Sequence, residues 1–370
     1  MEQEQLLSTP DRSEGQEGES FRSNRKPFDW RKNYNARNTG DAPGNRSTMP
    51  FGQGKYLYEV VEGWGKHFYS PFVEVAGIAT DKHDRVYILT RGVDPVLIYD
   101  SQGNFIKCWG RQYASWPHSV CVGPDGFLYI ADGDHTIEKL TPDGKLIMTL
   151  GTRNQPSDTG CTNKDYRTIK RAAGPFNIPT GVALDKEGDI YVSDGYGNAR
   201  VHKFSKEGEL LFSWGEPGRK AGQFNVPHGI FVSGEIVYVA DRENSRIQLF
   251  DTDGKFDREW DANRPTDVVV HEGNVIVSEL GYNAGPSLIS TKPKDGINAG
   301  RLSIFSLAGE LLSRWGTDDY RAPGSFKAPH AVCVDSKGSI YVGEVVISQA
   351  EKVADVPGDC HALQKFKKLP

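Results

Sequence analysis

The sequence predicts an all-β protein, a six-bladed β-propeller in which an N-terminal strand completes the last blade. Three observations predict this fold: six copies of one hairpin unit, a further strand pattern after most copies, and one such strand placed ahead of the first copy. The composition agrees, because 41 Gly and 21 Pro among 370 residues, with only 3 Met, are typical of short strands joined by tight turns.

The repeated unit is a short apolar strand, a polar turn that usually contains Gly, and a second apolar strand that ends near an acidic residue. Its six copies begin at Val75, Trp116, Ile178, Val226, Arg264 and Ala328. Each of the first five is followed by a third strand and then by a fourth, which ends at Trp109, Leu150, Trp214, Trp260 or Trp315.

The sixth copy stops after a third strand around Phe366, and the missing strand occurs at the other end of the chain. The segment KYLYEVVEGWG, residues 55–65, has the fourth-strand pattern but precedes the first copy. Pairing of the two ends would close a ring over residues 55–370 without a free sheet edge at the seam. Residues 1–54 have few aliphatic side chains and are predicted to be a disordered or loosely attached tail, which Phe28 and Trp30 could pin to the ring.

Charge and hydropathy exclude several classes of partner. The chain has 44 basic and 49 acidic residues, a net charge of −5, which argues against a nucleic-acid binder that relies on positive charge. It has no apolar run long enough to span a membrane and no signal-peptide pattern at its start, so we expect a cytoplasmic monomer. Five scattered cysteines without a CxxC pair are typical of reduced thiols.

One repeat position carries histidine in alternate copies. Aligning the residue before each first strand gives the series Ala76, His118, Thr180, His228, Thr266 and His330. Alternate blades of a six-fold ring lie about 120° apart, so three imidazoles can converge on one axial point and bind a metal with an open position. Zinc is preferred from common usage, although an all-histidine site also suits other divalent transition metals. The alternative is that each histidine follows a proline and makes only local hydrogen bonds.

Polar residues at the ends of the hairpins suggest a substrate site. The second strand ends in an acid in five copies, at Asp132, Asp194, Asp241, Glu279 and Glu344. We align Arg91 with these acids in the first copy, where a cation suggests recognition of an anionic group, or else a structural salt bridge. Arg242 and Tyr196 lie in loops that leave the same face. Tyrosine can act as an acid or a base where a cation or metal favours the phenolate.

The repeats resemble the NHL family of propellers. The resemblance rests on the segments P-x-G-V…D-x-x-G-x-x-Y-V-x-D and R-I-Q-x-F and runs through the whole predicted ring. It implies the propeller fold but not by itself an enzyme, because function depends on the site built on a fold.

More specific segments are similar to the peptidyl-α-hydroxyglycine α-amidating lyase family. They are W-P-H-S-V, S-D-G-Y-G-N, G-Q-F-N-V-P-H-G-I, A-D-R-E-N-S-R-I-Q and A-P-H-A-V, in that order. The resemblance implies that His118, His228 and His330 bind zinc, that Tyr196 is the catalytic base, and that Arg91 and Arg242 hold the substrate. It also implies cleavage of a carbinolamide C–N bond to an amide and glyoxylate, on a small-molecule or peptide-terminal substrate with an anionic group.

The sequence departs from that family at several positions. The family has a calcium-binding acid directly after the third histidine, where this chain has Ala331, and the matching carbonyl positions would be Ile78 and Val120. Calcium is therefore doubtful as a cofactor. Secreted members carry two cysteines where this chain has Gly197 and Leu249, which agrees with a reducing compartment. Insertions at residues 151–175 and 281–300 could reshape the mouth of the site.

A metal-dependent lyase is the leading hypothesis, and two alternatives stay open. The metal could instead support hydrolysis or hydration by activated water on another small polar substrate. The chain could also be a non-catalytic NHL module that presents one propeller face to a protein or an RNA.

Overall fold

The structure, a computed structural model, describes residues 49–65, 72, 74–92, 94–110, 116–281, 298–348 and 361–370. These residues form an all-β six-bladed propeller, as predicted, together with two short 3-10 helices at Tyr166–Thr168 and Arg242–Asn244. No helix in this part of the chain is long and apolar enough to cross a membrane. Residues 1–48 of the predicted tail, which include Phe28 and Trp30, lie outside the described part of the chain.

The described residues form twenty-five strands, and each blade is an antiparallel sheet that runs from the channel outward. The chain begins with β1 (Phe51–Gln53) and β2 (Tyr56–Val60). Blade 1 contains β3 (Val75–Thr80), β4 (Val86–Thr90), β5 (Val96–Tyr99) and β6 (Phe105–Trp109). Blade 2 contains β7 (Pro117–Val122), β8 (Leu128–Asp132), β9 (Thr136–Leu140) and β10 (Leu146–Gly151). Blade 3 contains β11 (Pro179–Leu184), β12 (Ile190–Asp194), β13 (Arg200–Phe204) and β14 (Leu210–Trp214).

The second half of the ring repeats this order. Blade 4 contains β15 (Pro227–Ser233), β16 (Ile236–Asp241), β17 (Arg246–Asp251) and β18 (Phe256–Asp261). Blade 5 contains β19 (Pro265–His271), β20 (Asn274–Glu279), β21 (Arg301–Ser306) and β22 (Leu311–Trp315). Blade 6 contains β23 (Pro329–Val334), β24 (Ile340–Glu344) and β25 (Leu363–Lys368).

The two ends of the chain close the ring in blade 6, which confirms the predicted exchange of strands. Strand β2 pairs antiparallel with β25, with Val60 opposite Phe366, and so supplies the fourth strand that the sixth copy lacks. Strand β1 then pairs with β2 at the outer edge. The Phe51 ring meets the Phe366 ring edge-on at 6.1 Å. Closure therefore removes the free edges that an open ring would present.

The apolar core lies between neighbouring blades, because both faces of the inner strands are covered. Between blades 1 and 2, for example, Tyr87 and Ile98 pack with Val120 and Leu128, all of them buried. The outer strands bury less, and β10 exposes half of its Leu146 side chain. The cysteines that the structure describes form no disulfide bond with one another; they are Cys108, Cys121, Cys161 and Cys333.

The recurrent D-x-x-G-x-x-Y segment locks the turn between the first two strands. In blade 3, Asp185 accepts the backbone N–H of Asp189 at 2.9 Å and the hydroxyl of Tyr191 at 3.2 Å. Gly188 has φ +93°, a conformation that favours glycine. The same hydrogen bond joins Tyr87 to Asp81 in blade 1 and Tyr341 to Asp335 in blade 6, and in blade 2 Tyr129 donates to Asp125, four residues before it.

The acids at the ends of the second strands bind the chain rather than facing a substrate. Each accepts a backbone N–H from the segment that leads into its own blade. In blade 4, Asp241 accepts the N–H of Asn225 at 2.8 Å and the Nε–H of Arg246 at 2.8 Å. The other pairs are Asp132 with Trp116, Asp194 with Asn177, Glu279 with Asn263, and Glu344 with Lys327. These carboxylates therefore orient the segments that lead into the inner strands.

Glu344 should make stability depend on pH. Burial raises the pKa of this carboxyl to about 8, from an ordinary value of 4.5, although N–H groups of Ala328 and Lys327 bind it. Because the folded pKa is the higher one, the stabilisation is complete below pH 4.5 and is lost as the pH rises through 8. At about 1.4 kcal/mol per unit, we expect Glu344→Gln to gain up to about 4 kcal/mol relative to the wild type across that range.

The measurement is the difference in melting temperature between Glu344→Gln and the wild type from pH 5 to pH 9. Glu272→Gln is the matched control, because the Lys368 ammonium lowers the pKa of this exposed carboxyl. For Glu272→Gln, the difference in melting temperature from the wild type should not increase with pH. A difference that stays flat for Glu344→Gln would contradict the assigned cause.

Candidate active site

Three histidines meet at the axis of the propeller. His118, His228 and His330 are the second residues of β7, β15 and β23, the inner strands of blades 2, 4 and 6. One ring nitrogen from each lies within 4.8 Å of the others, and each side chain is at most 4% exposed. The structure thus brings together the three residues that the alternation in the sequence singled out.

The residues between the histidines determine which ring nitrogen faces the axis. His118 Nδ1 lies 2.7 Å from the carbonyl oxygen of Thr180, the residue at the same repeat position in the next blade. His228 contacts Thr266 in the same way at 2.6 Å, and His330 contacts Ala76 at 2.8 Å. A carbonyl only accepts, so Nδ1 must carry the proton and donate it. Each Nε2 therefore keeps its lone pair for a ligand.

Burial keeps the three imidazoles neutral, which is the form that binds a metal. It holds the pKa of His118 and of His228 well below the usual value, and the neighbouring imidazoles add to this effect. Burial and then the charge of Arg91 lower the pKa of His330 to about 3. The group of three buried neutral imidazoles with oriented rings therefore fits a divalent metal ion with an open coordination position.

The Tyr196 hydroxyl lies beside the histidines. It is 3.2 Å from His118 Nε2 and 3.1 Å from His228 Nε2, and it accepts a hydrogen bond from Arg242 Nη1 at 3.1 Å. The hydroxyl has one proton, so it can donate to only one imidazole at a time. A phenol that touches two of the axial imidazole nitrogens and one guanidinium is suitably placed to exchange a proton with a group bound at the axis.

Arg242 is held by a buried carboxylate. Glu243 Oε1 accepts from Arg242 Nε at 2.9 Å and from Arg264 Nη2 at 3.0 Å. Burial disfavours the charge on Arg242, but the Tyr196 and Glu243 side chains raise the pKa of the guanidinium above its usual value. The three charged side chains in these contacts are all buried, namely Arg242, Glu243 and Arg264. The cation that contacts the Tyr196 hydroxyl is therefore fixed in position.

The three predicted substrate and catalytic residues occupy one structural position in different blades. The backbone N–H of Arg91 donates to Glu74, that of Tyr196 to Ile178, and that of Arg242 to Val226. Each acceptor lies two residues before the axial position of its own blade. The equivalent residues in the other blades are Gly133, Leu280 and Val345. Leu280 and Val345 pack with Ala76 and Ala328, so the polar groups are concentrated over blades 1 to 4.

The alignment that placed Arg91 among the strand-end acids is wrong by one residue. Thr90 lies opposite Val75, in the register that the acids occupy in the other blades, and Arg91 follows it just as Arg242 follows Asp241. The Arg91 guanidinium forms an ion pair with Glu74 at 3.1 Å, so the structural salt bridge offered as an alternative exists. The side chain also lies near the site, because its Cζ is 4.9 Å from the centroid of the Trp116 ring.

Sequence reasoning missed Trp116 and the carboxylates that hold the arginines. Trp116 stacks on Tyr196, with ring centroids 5.4 Å apart and an angle of 27°. Glu243 could have been noticed, because it directly follows Arg242 in the A-D-R-E-N segment. Trp116 begins the W-P-H-S-V segment, but nothing in that segment indicated a contact with Tyr196, and Glu74 carried no signal. Glu74 and Trp116 occupy the same repeat position in blades 1 and 2, but only the folded ring places them beside Arg91 and Tyr196.

The insertion at residues 151–175 supports the loop that carries Tyr196. The buried Thr159 hydroxyl donates to the carbonyl of Gly197 at 2.5 Å, and the Asn177 side chain donates to Thr159. The backbone N–H of Ala173 reaches the side chain of Asn198 at 3.3 Å. Residues 282–297 of the other insertion lie outside the described part of the chain.

The position that follows each axial residue carries an acid in blade 5. There Asp267 accepts the backbone N–H groups of Val268 and Val332, each at 3.0 Å. Burial raises the pKa of this carboxyl to about 7. The corresponding residue in blade 6 is the buried Ala331, and the expectation that calcium is doubtful as a cofactor stays a prediction.

The family model described as NHL repeat matches residues 176–204 and 224–250. The chain contains NHL repeats. The two matched repeats cover the inner strands of blades 3 and 4, which position Tyr196, His228 and Arg242. The residues of the candidate site therefore belong in part to the best-matched repeats.

The proteins similar to this chain include one named only for its NHL repeats and one named as a lyase. The chain is 28% identical over 321 residues to NHL repeat-containing protein 3 of Homo sapiens, covering 80% of this chain and 84% of that protein. It is 28% identical over 256 residues to peptidyl-alpha-hydroxyglycine alpha-amidating lyase 1 of Drosophila melanogaster, covering 64% of this chain. The match spans 44% of that lyase.

A solved structure shows the same fold. The gluconolactonase from Xanthomonas campestris superimposes with a TM-score of 0.55 at 14% identity, covering 90% of this chain and 99% of that one. Similarity at this level concerns the propeller architecture and not the chemistry.

Proposed function

We propose that this protein is a metal-dependent lyase that cleaves a carbinolamide C–N bond and releases an amide and glyoxylate. One observation carries the proposal: the Tyr196 hydroxyl lies within 3.2 Å of His118 Nε2 and within 3.1 Å of both His228 Nε2 and Arg242 Nη1. The amidating lyase of Drosophila melanogaster among its distant relatives supports the same class of reaction.

His118, His228 and His330 would hold the metal ion, for which zinc or another divalent transition metal is suitable. When bound, the ion supplies Lewis acidity at a substrate oxygen. The Nδ1–H bonds to Thr180, Thr266 and Ala76 keep the imidazole rings oriented, so the three ligands do not need to reorganise.

Tyr196 would move the proton of the reaction. Arg242 Nη1 donates a hydrogen bond to its oxygen, and Tyr196 as the base would take the proton from the substrate hydroxyl. The oxygen lone pair forms the C=O bond of glyoxylate while the C–N bond breaks and its electrons pass to nitrogen. The same Tyr196 returns the proton to that nitrogen, so the amide leaves neutral and the atoms balance.

The two arginines would orient an anionic group of the substrate, the glycine carboxylate in the proposed reaction. Arg242 lies directly beside Tyr196, with its Cζ 5.2 Å from the centroid of the phenol ring. Glu74 and Ser348 contact Arg91 Nη1, and Glu243 accepts from Arg242 Nε. Each guanidinium is thus fixed by a carboxylate, and we assign the contact with the substrate carboxylate to the two arginines together.

The test is an assay with N-benzoyl-α-hydroxyglycine on zinc-loaded protein, with glyoxylate and benzamide measured together. We expect the two products in equal amounts and no turnover after removal of the metal by a chelator. Stoichiometric zinc without glyoxylate release would exclude the lyase and favour another metal-dependent reaction. Absence of bound metal would favour an interaction module instead.

A further inference from the structure

Trp116 connects the groups of the proposed reaction. Its indole ring stacks on the Tyr196 ring, meets the His118 ring at 5.7 Å and 73°, and lies 4.9 Å from the Arg91 guanidinium carbon. Tyr196 thus has an aromatic ring and the Arg242 guanidinium, at 5.2 Å, as neighbours. Offset aromatic stacking and cation–π contacts both restrict how far these side chains can rotate.

The backbone of blade 2 is adapted to hold this indole. The N–H of Trp116 donates to Asp132 at 3.1 Å, and its carbonyl accepts the N–H of Gly133 at 3.1 Å. Gly133 occupies the position that carries Arg91, Tyr196 and Arg242 in other blades. A Cβ at Gly133 would lie 2.9 Å from the indole Cε3. Blade 2 therefore has no side chain at this position and places the Trp116 ring there instead.

We propose that Trp116 is a positioning residue that holds the Tyr196 phenol against the histidine group and the Arg91 guanidinium over the same site. The proposal rests on the proposed lyase function. A purely structural role would make Trp116→Ala lower turnover equally with and without the Tyr196 hydroxyl. A positioning role makes the effect of Trp116 on turnover depend on that hydroxyl.

The central experiment is a double-mutant cycle of Trp116→Ala with Tyr196→Phe. With Tyr196 present, we expect Trp116→Ala to lower kcat by about a hundredfold, the scale expected for a catalytic group displaced by about 1 Å. In the Tyr196→Phe background the same change should lower kcat by less than about threefold, since the two effects are not independent. Equal losses in both backgrounds would overturn the proposal.

Two further variants keep the proposal testable if Trp116→Ala folds poorly. Trp116→Phe retains an aromatic ring for stacking and should recover kcat to within about tenfold of the wild type. Gly133→Ala adds a methyl group against the indole and should lower kcat in the same direction as Trp116→Ala. Trp260→Phe, on the outer strand of blade 4, is the control and should leave kcat and zinc content unchanged.

A binding measurement separates this proposal from the proposed function. Calorimetric titration of zinc-loaded protein with glycolate, a small hydroxycarboxylate, reports on carboxylate binding by Arg91 and Arg242 without any turnover. We expect about tenfold weaker glycolate binding in Trp116→Ala at unchanged zinc content, corresponding to about 1.4 kcal/mol. If the wild type releases no glyoxylate, the lyase function fails while this measurement still tests the positioning of Arg91. Unchanged glycolate affinity in Trp116→Ala would overturn that part of the proposal.

Discussion

His228→Ala is expected to abolish stoichiometric metal binding and to lower lyase turnover by about a thousandfold or more. The change removes one of the three proposed metal ligands, and the loss of several kcal/mol of transition-state stabilisation by a metal corresponds to that factor. It also removes the Nδ1–H bond to Thr266, which keeps the ring oriented. Elemental analysis of the purified variant gives the metal content per chain, and the glyoxylate assay gives the turnover.

His83→Ala is the matched control, because His83 lies on an exposed turn in blade 1. It should retain wild-type metal content and turnover. His228→Asn keeps a polar side chain at the buried position and serves if the alanine variant is unstable. Full metal content in both His228 variants would contradict the three-histidine site.

Tyr196→Phe is expected to lower turnover by about a hundredfold to ten-thousandfold, the range for loss of a general acid or base. The change deletes only the hydroxyl, so the ring still stacks on Trp116 and the zinc content should stay the same. The effect should fall mainly on kcat, since the proton is transferred after the substrate is bound. Steady-state kinetics of glyoxylate release on zinc-loaded protein provide the measurement.

Tyr320→Phe is the control for the loss of a phenol elsewhere, because Tyr320 lies in the loop after blade 5, where the Lys327 ammonium is 5.0 Å from its ring. It should leave kcat and KM unchanged. Full activity of Tyr196→Phe would exclude Tyr196 from the mechanism while leaving the metal site intact.

Local repeats explain why most of the fold could be predicted. Strand alternation recurs in every copy, and the Asp–Tyr turn and the strand-ending tryptophans recur in most of them, so the number of blades follows from counting the copies. Closure by β2 and β25 could be predicted because one strand was missing at one end of the repeats and present at the other. The three histidines followed from the same alignment, since a repeat position also specifies a height along the channel.

The alignment failed at the end of the second strand of blade 1. The register between β3 and β4 shifts between Val75 and Gly77, but the first hairpins of other blades shift in the same way, so the bulge does not offset the copies from one another. Asp81 and Asp185 each lie nine residues before the strand-end position, which is Thr90 in blade 1 and Asp194 in blade 3. Counting from this recurrent aspartate places Arg91 one residue beyond the strand end, equivalent to Arg242.

The six-bladed ring, its closure and the three histidines at one level of the channel could be predicted from the repeats alone. The pairing of Glu74 and Glu243 with the arginines was found only in the tertiary structure. The orientation of the imidazole nitrogens and the stacking of Trp116 on Tyr196 could not be predicted, because these contacts join residues from different blades. The hydrogen bond that orients His118 joins residues 62 apart, and the one that orients His330 joins residues 254 apart. Such contacts exist only once the blades close around a common axis.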